Sequence, residues 1–397
     1  MSLFDAVPLA PRDPILGLTE AFKADLNPNK VNLGVGVYQD ATGKLPLLES
    51  VRIAEQRLAE KPTPRGYLPI DGLPGYVQAV KELVFGTNSP VLERVITVQA
   101  LGGTGALKIG ADFIRRFAPD AQVLISDPSW ENHEALFTRA GFTVGSYRYY
   151  DAEAKGVDFD GMLADLTAAP SGTAVVLHAC CHNPTGYDLT ADQWQEVLRV
   201  VRDAGLVPFL DMAYQGFSES LEADGAVVRL FADSGLPVLV ATSFSKNLSL
   251  YGERIGALSV VCASAEEAAR VLSQDKIVIR TNFSNPPTHG AQLAAAVLGD
   301  PELRALWITE LGQMRDRIKA MRVALVAGLA AAGVTDMGFI AEQVGMFSYS
   351  GLTKDQMVAL REQHGIYGTD KGRICVAALN EGNLDAVCRG IAAVRAS

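Results

Sequence analysis

The middle of the chain alternates short apolar runs with stretches of helical periodicity. Seven such runs occur between residues 94 and 261. Parallel strands need a crossover connection, usually a helix, so this alternation is typical of an α/β fold. We therefore predict a large, mainly parallel, seven-stranded sheet covered by helices. The predicted strands are residues 94–98, 122–126, 143–147, 174–179, 207–211, 238–242 and 257–261.

Two of the intervening helices have clear boundaries. One is predicted over residues 105–117 and another over 191–204. Thr190 is a favourable N-cap for the second helix, and Gly205 is a typical residue to end it.

The pattern changes beyond about residue 300. A long amphipathic helix is predicted over residues 301–332, because apolar residues recur there at helical spacing. A smaller α+β unit follows, and we expect the residues before about 50 to join it. The predicted division is an N-terminal arm (1–13), a small domain (14–48 plus 310–397) and a large cofactor-binding domain (49–309). Within the small domain, strands are predicted at 346–350 and 373–377 and helices at 354–364 and 384–394.

Charge and composition exclude several classes of function. The formal net charge is −10 at pH 7, which disfavours nucleic acid and anionic membrane surfaces as partners. No apolar run reaches 18 residues, and the N-terminus lacks a signal-peptide pattern, so we expect a cytoplasmic protein without membrane contact. Five cysteines without a disulfide-like spacing fit a reducing compartment. His178, Cys180, Cys181 and His182 lack the spacing of a metal site, so no metal is predicted.

Polar residues follow four of the predicted strands directly. In an open parallel sheet, ligands bind beyond the carboxyl ends of the strands, so these residues form the candidate site. A glycine turn at 102–105 opens a helix, and its backbone N–H groups could hold a phosphate. A dinucleotide fingerprint registered on Gly103 and Gly105 would need a third glycine where Lys108 stands. The polar segments are residues 127–130, 182–186, 211–214 and 243–246.

Lys246 is the most informative member of this set. It follows an apolar run and is flanked by Ser243 and Ser245, with Arg254 eight residues further on. A lysine amine can form a Schiff base with an aldehyde cofactor, while hydroxyls and an arginine hold that cofactor's phosphate. Taken alone, the motif is more typical of a solvated loop lysine, because such short patterns recur by chance.

A family resemblance extends over almost the whole chain. The chain resembles the fold-type I, class I pyridoxal-phosphate aminotransferases of the aspartate/aromatic subfamily. The resemblance implies a fold-type I transferase with a small α+β domain, and pyridoxal 5′-phosphate as cofactor. It rests on motifs at residues 31–38, 67–72, 182–186, 243–256, 282–287 and 372–373, which stand in the family's order.

The resemblance also implies roles for individual residues at the cofactor. Lys246 would carry the cofactor and move a proton, Asp211 would pair with its ring nitrogen, and His133 would support Asp211. Tyr214 and Asn183 would hydrogen-bond its phenolic oxygen, and Trp130 would stack on its ring. The implied phosphate contacts are Gly103, Thr104, Ser243, Ser245, Arg254 and, from a neighbouring subunit, Tyr67.

The implied substrates are small amino acids and 2-oxo acids. Arg373 would bind the substrate α-carboxylate, assisted by Asn183, Gly36 and Trp130. Arg280 of the neighbouring subunit would bind a side-chain carboxylate. The N-terminal arm would wrap that subunit, so the resemblance implies a homodimer with shared active sites.

Two departures from the aspartate-specialised pattern bear on substrate choice. Leu45 replaces a polar residue, and Gly66 precedes Tyr67 where those enzymes have an amide side chain. Both changes make the pocket roomier and more apolar. We therefore predict an aromatic amino acid aminotransferase, acting on tyrosine, phenylalanine and aspartate, with 2-oxoglutarate as acceptor and a ping-pong mechanism. An aspartate aminotransferase with little aromatic activity, or a lyase or decarboxylase with the same cofactor, remains an alternative.

Overall fold

A seven-stranded sheet forms the centre of the molecule. The computed structural model describes residues 2–10 and 16–396. Every predicted strand of the large sheet is present, and the largest difference is at the end of the first, which continues three residues beyond 98 to Leu101. The strands, numbered in chain order, are β1 (Val95–Leu101), β2 (Val123–Asp127), β3 (Val144–Arg148), β4 (Ala174–His178), β5 (Val207–Met212), β6 (Val238–Ser243) and β7 (Ile255–Val261).

The order and direction of the strands bring the candidate site together. The spatial order is β1-β7-β6-β5-β4-β2-β3. β7 runs antiparallel to both of its neighbours, and the other pairs are parallel. The carboxyl ends of six strands and the amino end of β7 therefore lie at one edge of the sheet. This is why Arg254, directly before β7, reaches the same edge as residues that follow the parallel strands.

Apolar side chains cover both faces of the sheet. Because successive side chains of a strand point to opposite faces, Val240 of β6 packs in one apolar cluster and Leu239 in the other. All residues of β6 and β7 are buried. A sheet buried on both faces explains why these strands are continuous apolar runs in the sequence.

Helices cover the sheet and form most of the remaining structure. The first predicted helix begins at Gly102, three residues before the predicted 105, so the glycine turn is itself helical. Thr190 and Gln193 form a reciprocal capping box, and Gly205 has a left-handed φ of 65°. The helices are Leu16–Ala24, Glu49–Glu60, Pro74–Phe85, Gly102–Phe117, Glu131–Arg139, Phe159–Ala168, Ala191–Asp203, Leu221–Asp224, Ala226–Asp233, Ala265–Asn282, His289–Gly299, Pro301–Ala331, Lys354–His364 and Glu381–Ala396, with short 3-10 helices at Pro90–Arg94, Gly338–Glu342 and Val376–Ala378.

The C-terminal region contains the predicted α+β elements with shorter strands. The predicted strand 373–377 is shorter, because a 3-10 turn replaces its last two residues. The predicted helix 384–394 is longer at both ends. The strand Val31–Asn32 pairs with Ile366–Tyr367 and thereby joins the N-terminal segment to the C-terminal region. The short strands pair as Val31–Asn32 with Ile366–Tyr367, Phe347–Tyr349 with Arg373–Cys375, and Tyr150–Asp151 with Gly156–Val157.

The helix Pro301–Ala331 crosses the predicted domain boundary at residue 310. Near its start, Trp307 Nε1 donates to the Asn247 carbonyl at 2.6 Å, and near its end Cys388 Sγ contacts the Leu325 carbonyl. Residues 2–10 of the predicted arm are exposed, whereas residues 1 and 11–13 lie outside the described residues. The domain division stays a prediction. No helix in the described ranges has the length and apolarity to cross a bilayer.

Candidate active site

A cavity of about 370 Å³ lies at the edge where the parallel strands end. It has the size of a small-molecule site and combines apolar walls with a few convergent polar groups. The structure brings most of the predicted site residues together around it. The predicted residues that line it are Gly36, Gly103, Thr104, Trp130, Asn183, Asp211, Tyr214, Ser243, Ser245, Lys246, Arg254 and Arg373.

Lys246 follows β6 by three residues and is only partly exposed. Its Nζ lies 4.7 Å from the centre of the Tyr214 ring. Burial, together with the positive charges of Arg254 and Arg373, lowers the pKa of Lys246 to about 8, although Asp211 opposes this shift. About a tenth of the amine is therefore neutral near pH 7, far more than for an ordinary lysine, which suits a nucleophile or a base.

Asp211 lies at the end of β5 and is 5% exposed. His133 Nε2 donates to Asp211 Oδ2 at 2.9 Å, and His133 Nδ1 shares a second hydrogen bond with the Ser129 hydroxyl at 2.9 Å. Burial alone would raise the pKa of Asp211. The hydrogen bond from His133 and the charge of Lys246 outweigh it, and the pKa is lowered. Asp211 is therefore a buried anion suited to a cationic ring nitrogen.

Close packing shapes an anion site at the start of the helix Gly102–Phe117. Gly102 has a φ of 69°, and a Cβ there would lie 2.6 Å from Arg254 Nη2. A Cβ on Gly103 would lie 3.3 Å from the Ser243 Cβ. Ser243 Oγ donates to Ser245 Oγ at 3.2 Å. Two hydroxyls, a guanidinium and a helix N-terminus are the groups that bind a phosphate.

Arg373 is held rigidly at the opposite wall. It is 3% exposed, and its guanidinium donates to Asn183 Oδ1 at 3.0 Å and to the Gly34 carbonyl at 2.9 Å. Its Cζ lies 4.3 Å from the centre of the Phe347 ring. The remaining N–H groups of a fixed planar fork can bind a carboxylate with two parallel hydrogen bonds.

Comparison with known proteins agrees with this geometry. The family model for aminotransferase class I and II matches residues 28–391. The chain belongs to this aminotransferase family. An aspartate aminotransferase of Pseudomonas aeruginosa is 60% identical over 99% of the chain and 100% of the relative. An aromatic-amino-acid aminotransferase of Escherichia coli is 48% identical with the same coverage.

A solved structure adds the cofactor. The crystal structure of an aromatic-amino-acid aminotransferase from Burkholderia pseudomallei, covalently bound to pyridoxal phosphate, superposes with a TM-score of 0.97. It is 64% identical, and the match covers 99% of this chain and 100% of that one. The recognition of the family, the fold class and the pyridoxal-phosphate cofactor are thereby confirmed.

The residues of this aminotransferase fit the cofactor. The close contacts of Gly102 and Gly103 exclude side chains where the phosphate donors converge. Asp211 and Lys246 line the same cavity, and the pKa of the Asp211 carboxyl and the pKa of the Lys246 amine are both lowered. One cavity thus offers phosphate donors, a counter-ion for a ring nitrogen and an amine for an aldehyde.

Three predicted site residues do not line this cavity: His133, which hydrogen-bonds Asp211, and Tyr67 and Arg280. Tyr67 is 95% exposed, and Arg280, also exposed, hydrogen-bonds to Ser284 near the end of its helix. Neither lines the cavity of its own chain. Leu45 is 48% exposed, and a Cβ added to Gly66 would meet no atom of residues 2–10 or 16–396 within 4 Å. The structure of the single chain leaves the roles of Tyr67, Arg280, Leu45 and Gly66 as proposals.

Sequence reasoning gave no site role to seven residues that line the cavity, and three of these carry aromatic rings: Phe347, Tyr251 and His178. Phe347 packs against Arg373 and lies 5.8 Å from the Tyr214 ring. Tyr251 lies within the motif 243–256 and accepts a hydrogen bond from the Tyr38 amide at 3.0 Å. His178 at the end of β4 is buried, which lowers its pKa to about 3. Of these three, only Tyr251 could have been found, since it belongs to a quoted motif.

Possible metal-ligand atoms lie within 4.8 Å of one another at two places among the described residues, and the first of these groups is His133, His178 and Asp211. His182 uses both ring nitrogens, with the Ser126 hydroxyl at 2.9 Å and the Thr185 hydroxyl at 2.8 Å. The ligand atoms of Cys180, Cys181 and Asp224 lie within 4.8 Å of one another. However, the Asp224 carboxylate already accepts three backbone N–H groups, so its charge is satisfied without an ion.

Proposed function

We propose that this aminotransferase transfers the amino group of tyrosine, phenylalanine or aspartate to 2-oxoglutarate by a ping-pong mechanism. The observation that carries the proposal is the placement of Lys246, Asp211 and Arg373 around one cavity. The first two suit the cofactor, and the third suits a carboxylate held beside it. A transaminase needs all three functions within reach of one substrate carbon.

Each residue near the cofactor has a definite task in this proposal. The cofactor supplies an aldehyde that takes up the amino group and a protonated ring that withdraws electrons from the substrate Cα. Lys246 Nζ, with its lowered pKa, would move the proton between the substrate Cα and the former aldehyde carbon of the cofactor. Asp211 keeps the ring nitrogen protonated, and the hydrogen bond from His133 keeps Asp211 charged and in place.

The remaining cofactor contacts fix its position. Asn183 and Tyr214 hydrogen-bond the phenolic oxygen, and burial raises the pKa of Tyr214, so its hydroxyl stays a donor. Trp130 covers the ring. The phosphate is bound by donors at the carboxyl ends of β1 and β6 and by an arginine directly before β7. These donors are Gly103, Thr104, Ser243, Ser245 and Arg254.

Substrate binding uses one arginine from each subunit in this proposal. Arg373 binds the α-carboxylate, with Asn183, Gly36 and Trp130 around it. A Cβ on Gly36 would lie 2.6 Å from Phe347 Cζ, so glycine lets the backbone at this position approach the Phe347 ring. Arg280 of a partner subunit binds the second carboxylate of aspartate, glutamate or 2-oxoglutarate.

We also infer a homodimer with shared active sites. The support is that Tyr67 and Arg280 are exposed in their own chain, and that the arm exposes Leu3, Phe4 and Leu9. The small and large domains of the predicted division would form the two walls of each site. We infer a cytoplasmic location as well, for which the five free cysteines are the support.

The preferred amino donor is the least constrained part of the proposal. Leu45 and Gly66 favour an aromatic ring. The name of the Pseudomonas relative favours the second candidate, an aspartate aminotransferase with little aromatic activity. We expect kcat/KM for phenylalanine to be at least comparable to that for aspartate, measured with 2-oxoglutarate as acceptor. A preference for aspartate above about a thousandfold, roughly 4 kcal/mol, would establish the second candidate instead.

A further inference from the structure

Two buried polar atoms near the carboxylate-binding arginine lack a hydrogen-bond partner among the described residues. They are Arg373 Nε and Glu131 Oε2. Arg373 Nη1 lies 3.7 Å from Glu131 Oε2. This distance is short enough for an ion pair but too long for a hydrogen bond. Glu131 therefore attracts Arg373 without using any of its N–H groups.

The position of Glu131 keeps its charge close to the binding cavity. It is the first residue of the helix Glu131–Arg139, where the helix dipole favours a negative side chain. It follows Trp130, which lines both the 370 Å³ cavity and a neighbouring cleft of about 760 Å³, and Glu131 lines that cleft. The side chains of Glu131 and Arg373 are 20% and 3% exposed. Water therefore screens this pair less than a pair on the surface.

An incoming carboxylate must share Arg373 with this resident anion. A ligand oxygen that accepts from the free Arg373 N–H groups must come within about 3 Å of the guanidinium. Glu131 Oε2 is already 3.7 Å from the same group, so the two carboxylates repel each other at short range. A zwitterionic amino acid has no net charge, but the 2-oxo acid with the same carbon skeleton is an anion. The repulsion is therefore stronger for the 2-oxo acid.

We propose that Glu131 is a resident counter-ion of Arg373 that weakens the binding of carboxylate ligands, 2-oxo acids more than amino acids. It thereby sets the relative affinity of the two substrate classes. This inference rests on the proposed role of Arg373 as the α-carboxylate ligand. Glu131 acts through Arg373 and has no chemical step of its own.

Binding of an unreactive anion tests the inference. The probe is 3-phenylpropionate, which has the carbon skeleton of phenylalanine without the amine, and its Kd for the holoenzyme is measured by calorimetry. Glu131→Gln keeps the size of the side chain and removes its charge, so the Kd should fall about three- to tenfold. Glu134→Gln is the matched control, because Glu134 lies on the same helix, lines the same cleft and is exposed. It should change the Kd by less than twofold.

Two further measurements distinguish a charge effect from a structural one. The gain in affinity for 3-phenylpropionate that Glu131→Gln produces should be smaller at 500 mM salt than at 20 mM salt, because salt screens partly exposed charges. The KM for phenylpyruvate should fall more than the KM for phenylalanine, with little change in kcat.

The outcomes separate this inference from the proposed function. If Arg373→Ala binds 3-phenylpropionate as tightly as the wild type, the role of Arg373 itself is wrong. If Arg373→Ala loses binding but Glu131→Gln binds equally or more weakly than the wild type, only the counter-ion inference is overturned. An equal gain in Glu134→Gln would also overturn it, since the effect would then come from the general field of the protein.

Discussion

Replacing Arg373 should reduce turnover of every substrate, because all of them carry an α-carboxylate. The guanidinium is almost fully buried and already bonded to Asn183 and the Gly34 carbonyl, so its free N–H groups are fixed in place. A hydrogen bond to a charged group contributes about 1.5–3 kcal/mol. Two parallel bonds therefore contribute about 3–6 kcal/mol, and Arg373→Ala should lower kcat/KM roughly 10²- to 10⁴-fold for both phenylalanine and aspartate.

The assay needs a control for the fold, because removing Arg373 leaves buried acceptors without a donor. The cofactor absorbance and the melting temperature of each variant show whether the site still forms. Arg373→Lys keeps the charge but loses the planar fork, so it should recover only part of the loss. Arg280→Ala should damage aspartate turnover far more than phenylalanine turnover. The reasoning fails if a folded, cofactor-loaded Arg373→Ala enzyme keeps kcat/KM within tenfold for both substrates.

Three further predictions concern charge, assembly and stability. Asp211→Asn removes a buried anion without changing its shape, so turnover should fall by several powers of ten with cofactor still bound; near-normal turnover would exclude the role. Mixing inactive Lys246→Ala chains with Arg280→Ala chains should restore part of the dicarboxylate activity, whereas verified subunit exchange without recovery would show that each chain builds its own site. Asp275 is fully buried, neither of its oxygens has a hydrogen-bond partner among the described residues, and burial raises its pKa to about 7. Between pH 5 and pH 7 the Asp275 carboxyl is therefore protonated in the folded state and ionised in the unfolded state. The free energy of unfolding falls by about 1.4 kcal/mol for each pH unit through this window. In denaturant unfolding, the free energy of unfolding of Asp275→Asn should rise relative to that of the wild type by about 3 kcal/mol between pH 5 and pH 8. Glu266→Gln is an exposed control on the same helix, and parallel pH profiles of Asp275→Asn and the wild type would contradict the prediction.

Most of the large sheet could be predicted from the sequence because its central strands are buried and form continuous apolar runs. The strand Val144–Arg148 is only partly buried, yet its boundaries, like those of the others, differ from prediction by only a few residues. The shorter strands of the C-terminal region were harder to delimit. The strand from Arg373 stops at Cys375 because the chain turns into a 3-10 helix there, and no glycine or proline in the sequence marks that turn.

The cofactor side of the site was predictable for a similar reason. Lys246, Asp211 and the phosphate donors lie at or next to strand ends, so the sheet topology alone brings them to one edge. Phe347 and Glu131 were not recognised as partners of Arg373, because these contacts depend on how distant segments pack.

The central claim is that Lys246 carries pyridoxal phosphate in the cavity beyond β6. Borohydride reduction of the holoenzyme converts an imine into a stable secondary amine, which peptide mass spectrometry can locate. We predict one modified peptide, with the cofactor mass on Lys246, and none in Lys246→Ala. Lys276 serves as the internal control, because it lies outside the cavity and forms an ion pair with Asp71. Modification at another lysine, or a wild-type protein that cannot be loaded with the cofactor, would contradict the account.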